Sequence, residues 1–575
     1  MSHTPNFDTK IKAILDTVQP GERVCELTGE KWNLTEEEIG WYKKFNVPPS
    51  PYALHTRWEL MTSFWTGFQW WYFKHPKTGE NILSFYHPAT GVSVLPDKEW
   101  FDHDFSSEFL EDDPMRSVEE SLYQLTRRIP LPASSNLQEP ENSIATVSNG
   151  ERNSYFMCGC DSERSLFGFW STRLVDSCLV FSSGNVTDSY SISCAVNVHN
   201  SLFIRDCSNV LSSAFCFSCE DIEFCFGATN QRHAKYLWFN EQLTKEAWEQ
   251  RRAEVDLSRR SELEKWLEAF YDLVGNKTIW SENMSVGAIN STGEYLFDVS
   301  DCSECYFCVK HCSHLYNCLF GVSGKESAFS APIFSENVYE ANNCFNSNAC
   351  KYTYATYGCQ NLEYSFLNYE CQNCFGCVGL RHKEFYIFNK SYTEEVYWKK
   401  LDEIKCRMLD DGTYGRSLSM KLSPTYFGES GAVKHLDAKM DRWEKLGGTP
   451  FDPESFGAIG DLSDQPMRSS QEIPDSIDEV TDEAWIGKPI LDEKAHRRFT
   501  FLKPELAFYR RKRLAPPTTH MTTRMKDLLQ EENLAVFENH ACGKCAKQMR
   551  VAKNVKYPNR TIYCTACYLA HLETR

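Results

Sequence analysis

Two segments of this chain are one phrase written twice. Residues 225–248 read CFGATNQRHAKYLWFNEQLTKEAW, and residues 374–397 read CFGCVGLRHKEFYIFNKSYTEEVY. They align without a gap at an offset of 149 residues and share Cys-Phe-Gly, Arg-His, Phe-Asn, and the Thr and Glu that follow. Each closes a block of Cys- and Ser-rich phrases recurring about every 12 residues. Asp176, Asp188, Asn200, Asn209 and Asp221 open phrases of the first block, and Asn337, Asn361 and Asn373 open phrases of the second. Such a phrase holds one strand of about 4–6 residues and a turn. Two phrases would make one coil of a parallel β-helix, with equivalent residues stacked in ladders about 4.8 Å apart. Asn and Ser suit its corners and Cys its interior.

Each block runs into a helical segment. Leu263, Trp266, Leu267 and Phe270 fall at helical spacing, and Ser261 with Glu264 reads as a capping box. TEEVYWKKLDEIKCRML follows the second block. Helices there would cover open sheet edges. The fold class expected is mainly β: a duplicated parallel β-helix with helical caps, flanked by small zinc-ribbon-like modules.

Composition divides the chain further. Residues 1–102 are aromatic and turn-rich and read as a metal-free, degenerate ribbon module. Residues 103–150 read as a linker, 151–275 and 276–410 as the two capped blocks, 411–485 as an irregular acidic arm, and 486–575 as a basic module. The chain carries -18 overall, yet Lys494 to Arg575 holds 17 Lys and Arg against 6 Asp and Glu. A basic end on an acidic body points to a partner of its own, or to pairing with the body. The first residues show no apolar signal core, and no apolar run is long enough to cross a membrane. A reducing cytoplasmic setting follows, with the 25 cysteines as thiols or metal ligands.

The clearest ligand set is Cys542-Gly-Lys-Cys545 with Cys564-Thr-Ala-Cys567. Two Cys-x-x-Cys turns joined by a short hairpin supply four thiolates, a closed structural zinc site. Cys302, Cys305, Cys308 and Cys312 have the spacing of a bacterial ferredoxin, and Cys371, Cys374 and Cys377 repeat its first part. Ser313 stands where proline normally follows, so a thiol ladder in stacked coils competes with an iron–sulfur cluster. Cys377 near His382 has no counterpart in the first block, where Ala228 stands opposite His233, and no catalytic motif is legible.

Glu38-Ile-Gly-Trp-Tyr-Lys-Lys, Pro48-Pro49, His55 and Arg57 resemble Glu505-Leu-Ala-Phe-Tyr-Arg-Arg, Pro516-Pro517, His520 and Arg524. No ligand quartet can be written from Cys25, His55, His75 and His87. Arg510, Arg511, Lys512, Arg513, Lys544, Lys547, Arg550, Lys553, Lys556 and Arg560 are candidates for phosphate contacts.

The phrases CFGCVGLRHKEFYIFNKSYT, YGRSLSMKLSPTYFGES, IPDSIDEVTDE, ELAFYRRKRLAPP and CGKC…YCTACY resemble a group of cysteine-rich repeat proteins of uncultured, small-genome (candidate-phyla) bacteria. The resemblance implies repeats flanked by several zinc-ribbon-like modules and implies no activity. Of those sets only Cys542, Cys545, Cys564 and Cys567 remain, and cysteines are missing from Cys25 to His87 and from Leu491 to Arg524. The function expected is a non-enzymatic binding or assembly scaffold with one structural zinc, docking another protein or itself, with no membrane. The alternatives are nucleic-acid or ribosome binding through the basic end, a carbohydrate-active β-helix enzyme by fold analogy, and iron–sulfur redox work.

Overall fold

The computed structural model describes residues 3–66, 70–453 and 466–574. It divides into two compact units, each built from separated stretches. One joins residues 3–66 and 70–133 to 283–453; the other joins 134–282 to 466–574. The N-terminal module therefore belongs with the second repeat block, and the C-terminal module with the first.

In the unit holding the first block, two seven-stranded parallel sheets alternate along the chain. Leu166 pairs with Cys178, Cys178 with Tyr190, Tyr190 with Leu202 and Leu202 with Ala214. The other sheet runs Thr172, Gly184, Val196, Ser208, Glu220, Arg232. Pairing thus returns after 12 residues, and each phrase supplies one strand to each sheet. A phrase pairs with the next phrase, where a pair of phrases per coil had been expected.

The backbone explains the shorter repeat. Every third residue from Arg164 to Phe224 lies between φ +43° and +60°. An extended pair followed by one left-handed residue turns the chain often enough to return in 12. Asn and Asp tolerate that region best, which is why they mark the phrases.

Between the sheets, Val180, Ile192, Ile204, Val186, Val198, Val210 and Ile222 form one buried cluster. At the bends, hydroxyls tie successive phrases together. Ser177 N–H donates to Ser165 Oγ (3.2 Å), Ser189 N–H to Ser177 Oγ (3.3 Å), Ser201 N–H to Ser189 Oγ (3.0 Å) and Ser213 N–H to Ser201 Oγ (3.1 Å). Cys225 ends that column, its N–H on Ser213 Oγ at 3.0 Å.

The other unit holds a 13-stranded sheet, parallel until its last strand, Lys390–Ser391. Its register slips where the backbone rule is broken. Lys310 and His311 are both left-handed, and Ser300 pairs with Ser313, one residue late. Pro332 cannot take a positive φ, and Ala328 pairs with Tyr339, one residue early. Rings stack along the ladders at the strand spacing: Phe345–Tyr357 at 4.7 Å and Tyr357–Tyr369 at 4.6 Å.

Three sequence expectations need correction. Residues 103–150 are more than a linker: the helix Val118–Arg128 buries Leu122 and Leu125, and the first sheet already begins at Ile144–Thr146. Within 411–485, Met420, Phe427, Trp443 and Leu446 are buried in a core with Leu60, so that part is packed; residues 454–465 lie outside the described residues. Ser261 does not cap its helix. Arg260–Asp272 starts one residue earlier, and Ser261 N–H donates to Asp475 Oδ1 at 2.9 Å.

Candidate metal centre

The strands Phe537–Ala541 and Gln548–Ala552 form a hairpin whose turn carries Cys542 and Cys545. Cys542 N–H donates to Lys547 O and Ala546 N–H to Cys542 O, both at 2.9 Å, with Ala546 left-handed at φ +59°. The second pair follows the strand Thr561–Tyr563, where Cys564 is the N-cap of the helix Thr565–Leu572. Gly543 N–H donates to Ile562 O at 2.8 Å and Cys564 N–H to Cys542 Sγ at 3.3 Å. All four sulfurs lie within 4.8 Å of one another, and Cys545 and Cys564 are 3.7 Å apart. A tetrahedral tetrathiolate site with bonds of about 2.3 Å has edges of about 3.8 Å, so the donor set fits a metal ion. Burial pushes the Cys542 thiol up, but backbone N–H groups of Cys564, Cys545 and Lys544 outweigh it and bring the thiol to about 6.

The N-terminal module repeats this one at a constant offset of 467 residues. Glu36–Phe45 corresponds to Lys503–Lys512 and Leu54–Thr62 to Met521–Leu529. Asn46 and Arg513 both end their helices left-handed. Each copy holds a buried Glu–Tyr–Arg set. Arg524 donates to Tyr509 Oη (2.7 Å) and Glu505 (3.1 Å); Arg57 donates to Tyr42 Oη (3.2 Å) and Glu38 (3.5 Å). Arg57 also pairs with Glu340 and lies 3.2 Å from the Phe329 ring centre. The register sets Ala53, and not His55, opposite His520.

At that offset His75, Thr78, Asp97 and Trp100 occupy the places of Cys542, Cys545, Cys564 and Cys567. The turn persists without sulfur. His75 N–H donates to Glu80 O at 2.8 Å, and His75 Nδ1 accepts from Lys77 and Thr78 N–H at 3.1 Å. His75 Nε2 donates to Glu99 at 2.9 Å, a hydrogen bond linking the hairpin turn to the helix Asp97–Asp102. Cys25 and Asp492 correspond likewise. Cys25 donates to Thr56 Oγ1 at 3.6 Å; Asp492 accepts from Thr523 Oγ1 at 3.0 Å and from His520 N–H at 2.8 Å. His55 lies 3.8 Å from Glu59, and His87 accepts from Ala89 N–H through Nδ1.

The repeat-region cysteines behave as serine substitutes. Cys302, Cys305 and Cys308 each donate to the carbonyl two residues back, at 3.4, 3.4 and 3.9 Å, and Cys312 donates to Val309 O at 3.2 Å. They pack with Leu296, Val299 and Leu315, fully buried. Cys371, Cys374 and Cys377 make the same bonds at 3.4, 3.2 and 3.4 Å. Among the described residues neither set forms a ligand group within 4.8 Å, whereas Cys194, Asp206 and Glu532 do, a convergence of residues distant in sequence that spacing does not reveal.

A Cβ on Gly227 or Gly376, both left-handed, would strike the ring of Phe239 or Phe388 at 3.0 and 2.4 Å. Asn240 accepts from Thr229 N–H at 2.8 Å, and Asn389 accepts from Val378 N–H at 2.9 Å, closing the last turn of each block. His233 pairs with Asp221 and His382 with Glu370, each at 3.0 Å on the preceding phrase. His382 is thus an exposed ladder residue, and Cys377 is buried.

Most of the basic candidates are engaged within their own unit. Arg510 pairs with Asp482 at 2.6 Å, Arg511 and Lys512 pair with Asp188, and Arg513 pairs with Asp478. Arg560 is buried, donating to Ala552 O at 2.6 Å, and Lys556 lies 3.9 Å from the Tyr271 ring centre. Lys553 is half-buried, while Lys544, Lys547 and Arg550 are exposed around the hairpin.

No helix of the described residues is long and apolar enough to cross a membrane. No protein-family model and no curated protein matches the chain. One solved structure that aligns in part is a Desulfovibrio desulfuricans G20 protein described as an acetyltransferase. The alignment is 10% identical, covers 42% of this chain and 63% of that one, and has a TM-score of 0.09, which carries no structural inference.

Proposed function

We propose that this protein is a non-enzymatic binding or assembly scaffold: two stacks of a parallel β-helical repeat, with the C-terminal module pinned by one structural zinc. The observation that carries the reading is the use of the cysteines. In the repeats Cys302 and Cys374, like Ser165, donate to the carbonyl two residues back, a packing role shared with serine. Among the described residues only the last four converge as a ligand group of thiols alone. Four thiolates leave no open position for water, so the metal would hold the hairpin to the helix Thr565–Leu572 and take no part in hydrolysis. Free thiols throughout suit a reducing cytoplasm. Native co-purification, with bound proteins and nucleic acids identified, tests the reading. A stable protein partner or self-association supports it, and a specific turnover lost on changing repeat-surface residues overturns it.

The nucleic-acid reading narrows to Lys544, Lys547 and Arg550, which are exposed around the hairpin that carries the first cysteine pair. Neutralising these three should then abolish a salt-sensitive interaction with RNA or DNA.

A further inference from the structure

We propose that the bare first strand of the second block, Val286–Ile289, docks the same strand of a second copy, an inference that rests on the scaffold reading. Parallel stacks have ends, and an end left open exposes unpaired backbone and core. The described residues give four such ends. The first block opens at Ile144–Thr146, where Ala145 and Thr146 are 4% and 0% exposed. It closes with the hairpin Leu237–Trp238/Glu241–Gln242 and the helix Lys245–Ala253, whose Trp248 donates to Leu237 O at 3.2 Å. The second block closes the same way, with the strand Lys390–Ser391 and the helix Glu394–Asp410. Its opening strand differs. Val286 and Ile289 are 66% and 69% exposed. Ala288, on the edge of the core cluster, is only partly buried, although its partner on the next strand, Val299, is 3% exposed.

Two observations choose the occupant. The chain carries -18, yet residues 283–293, Asn-Met-Ser-Val-Gly-Ala-Ile-Asn-Ser-Thr-Gly, carry no charge, so two copies meet there without local repulsion. The strand is also bent. Gly287 and Asn290 are left-handed at φ +68° and +47°, and a Cβ on Gly287 would lie 2.5 Å from Asp298. A straight peptide does not follow that path, whereas a repeat strand of the same bend does. With the other three ends covered, the bare strand of this kind on a second copy is the same one, giving a two-fold, isologous contact.

Light scattering on the full chain across a concentration series tests this. The mass should rise from 66.5 kDa toward twice that value, and Val286→Lys with Ile289→Lys should hold it at 66.5 kDa with an unchanged circular dichroism spectrum. Hydrogen exchange on the unaltered protein needs no variant: amides of 286–290 should gain protection as concentration rises. A chain monomeric throughout, a dimer that survives both substitutions, or amides indifferent to concentration would each overturn the contact. A monomer that still co-purifies with another protein defeats this inference alone, while specific turnover defeats the scaffold reading beneath it.

Discussion

At the scale of the residue, this fold depends on small hydrogen-bonding side chains at its bends. Ser201 Oγ donates to His199 O at 2.8 Å and accepts from Ser213 N–H at 3.1 Å. Ser201→Ala leaves that amide buried without an acceptor, and urea unfolding should show a loss of about 1–3 kcal/mol. Ser201→Cys should lose less, because Cys225 ends the same column and makes the matching bond to Glu223 O. At Glu363 a carboxylate in the interior is matched by two cations, Lys351 at 3.3 Å and Lys405 at 2.9 Å. Burial pushes the Glu363 carboxyl up, but Lys351 and Lys405 outweigh it and hold it at about 2. Its folded-state value is depressed from an ordinary 4.5, so its stabilising contribution is full above about pH 4.5 and fades as the pH falls toward 2. Urea unfolding of Glu363→Gln followed over that range should show a shallower acid loss than the parent chain.

At the scale of the element, the left-handed residue at every third position is the rule that shapes both blocks. Asn209 sits at φ +55°. Asn209→Val should destabilise by about 1–3 kcal/mol in thermal unfolding, while Asn209→Gly should change little. The phrase rhythm, the closing helices and the Cys-Phe-Gly turns were legible from sequence because each uses residue types with narrow backbone demands. The number of phrases per return was not, since a strand of about five residues and one bent at its second residue share the same hydrophobic pattern. The last four cysteines were legible because their spacing alone defines a turn. The register between His75 and Cys542 was hidden because His75 and Thr78 hold that turn through polar contacts where Cys542 and Cys545 stand in the other copy. The Glu–Tyr–Arg sets show the same economy of form: Arg57→Met should cost about 3–5 kcal/mol in unfolding of its unit, because Glu38 and Glu340 stay buried without their cation.

At the scale of the whole molecule, each terminal module belongs with the repeat block farther from it in sequence, so the chain closes two units from interleaved stretches. In its own unit, the C-terminal module is tied to the first block by Arg205, which meets Glu531 at 3.0 Å with both buried, and by Tyr568, whose hydroxyl meets Ser218 at 2.9 Å. The corresponding N-terminal module keeps its shape through hydrogen bonds and the His75–Glu99 pair. Metal removal should therefore loosen the hairpin Phe537–Ala541/Gln548–Ala552 and leave the N-terminal module unaffected, which hydrogen exchange before and after chelation resolves. The metal content of anaerobically purified, untagged protein tests the scaffold reading most directly: one zinc and no iron per 66.5 kDa chain is expected, with the zinc lost in Cys542→Ser. Iron in stoichiometric amount, with visible absorbance that depends on Cys302, Cys305, Cys308 and Cys312, would contradict it.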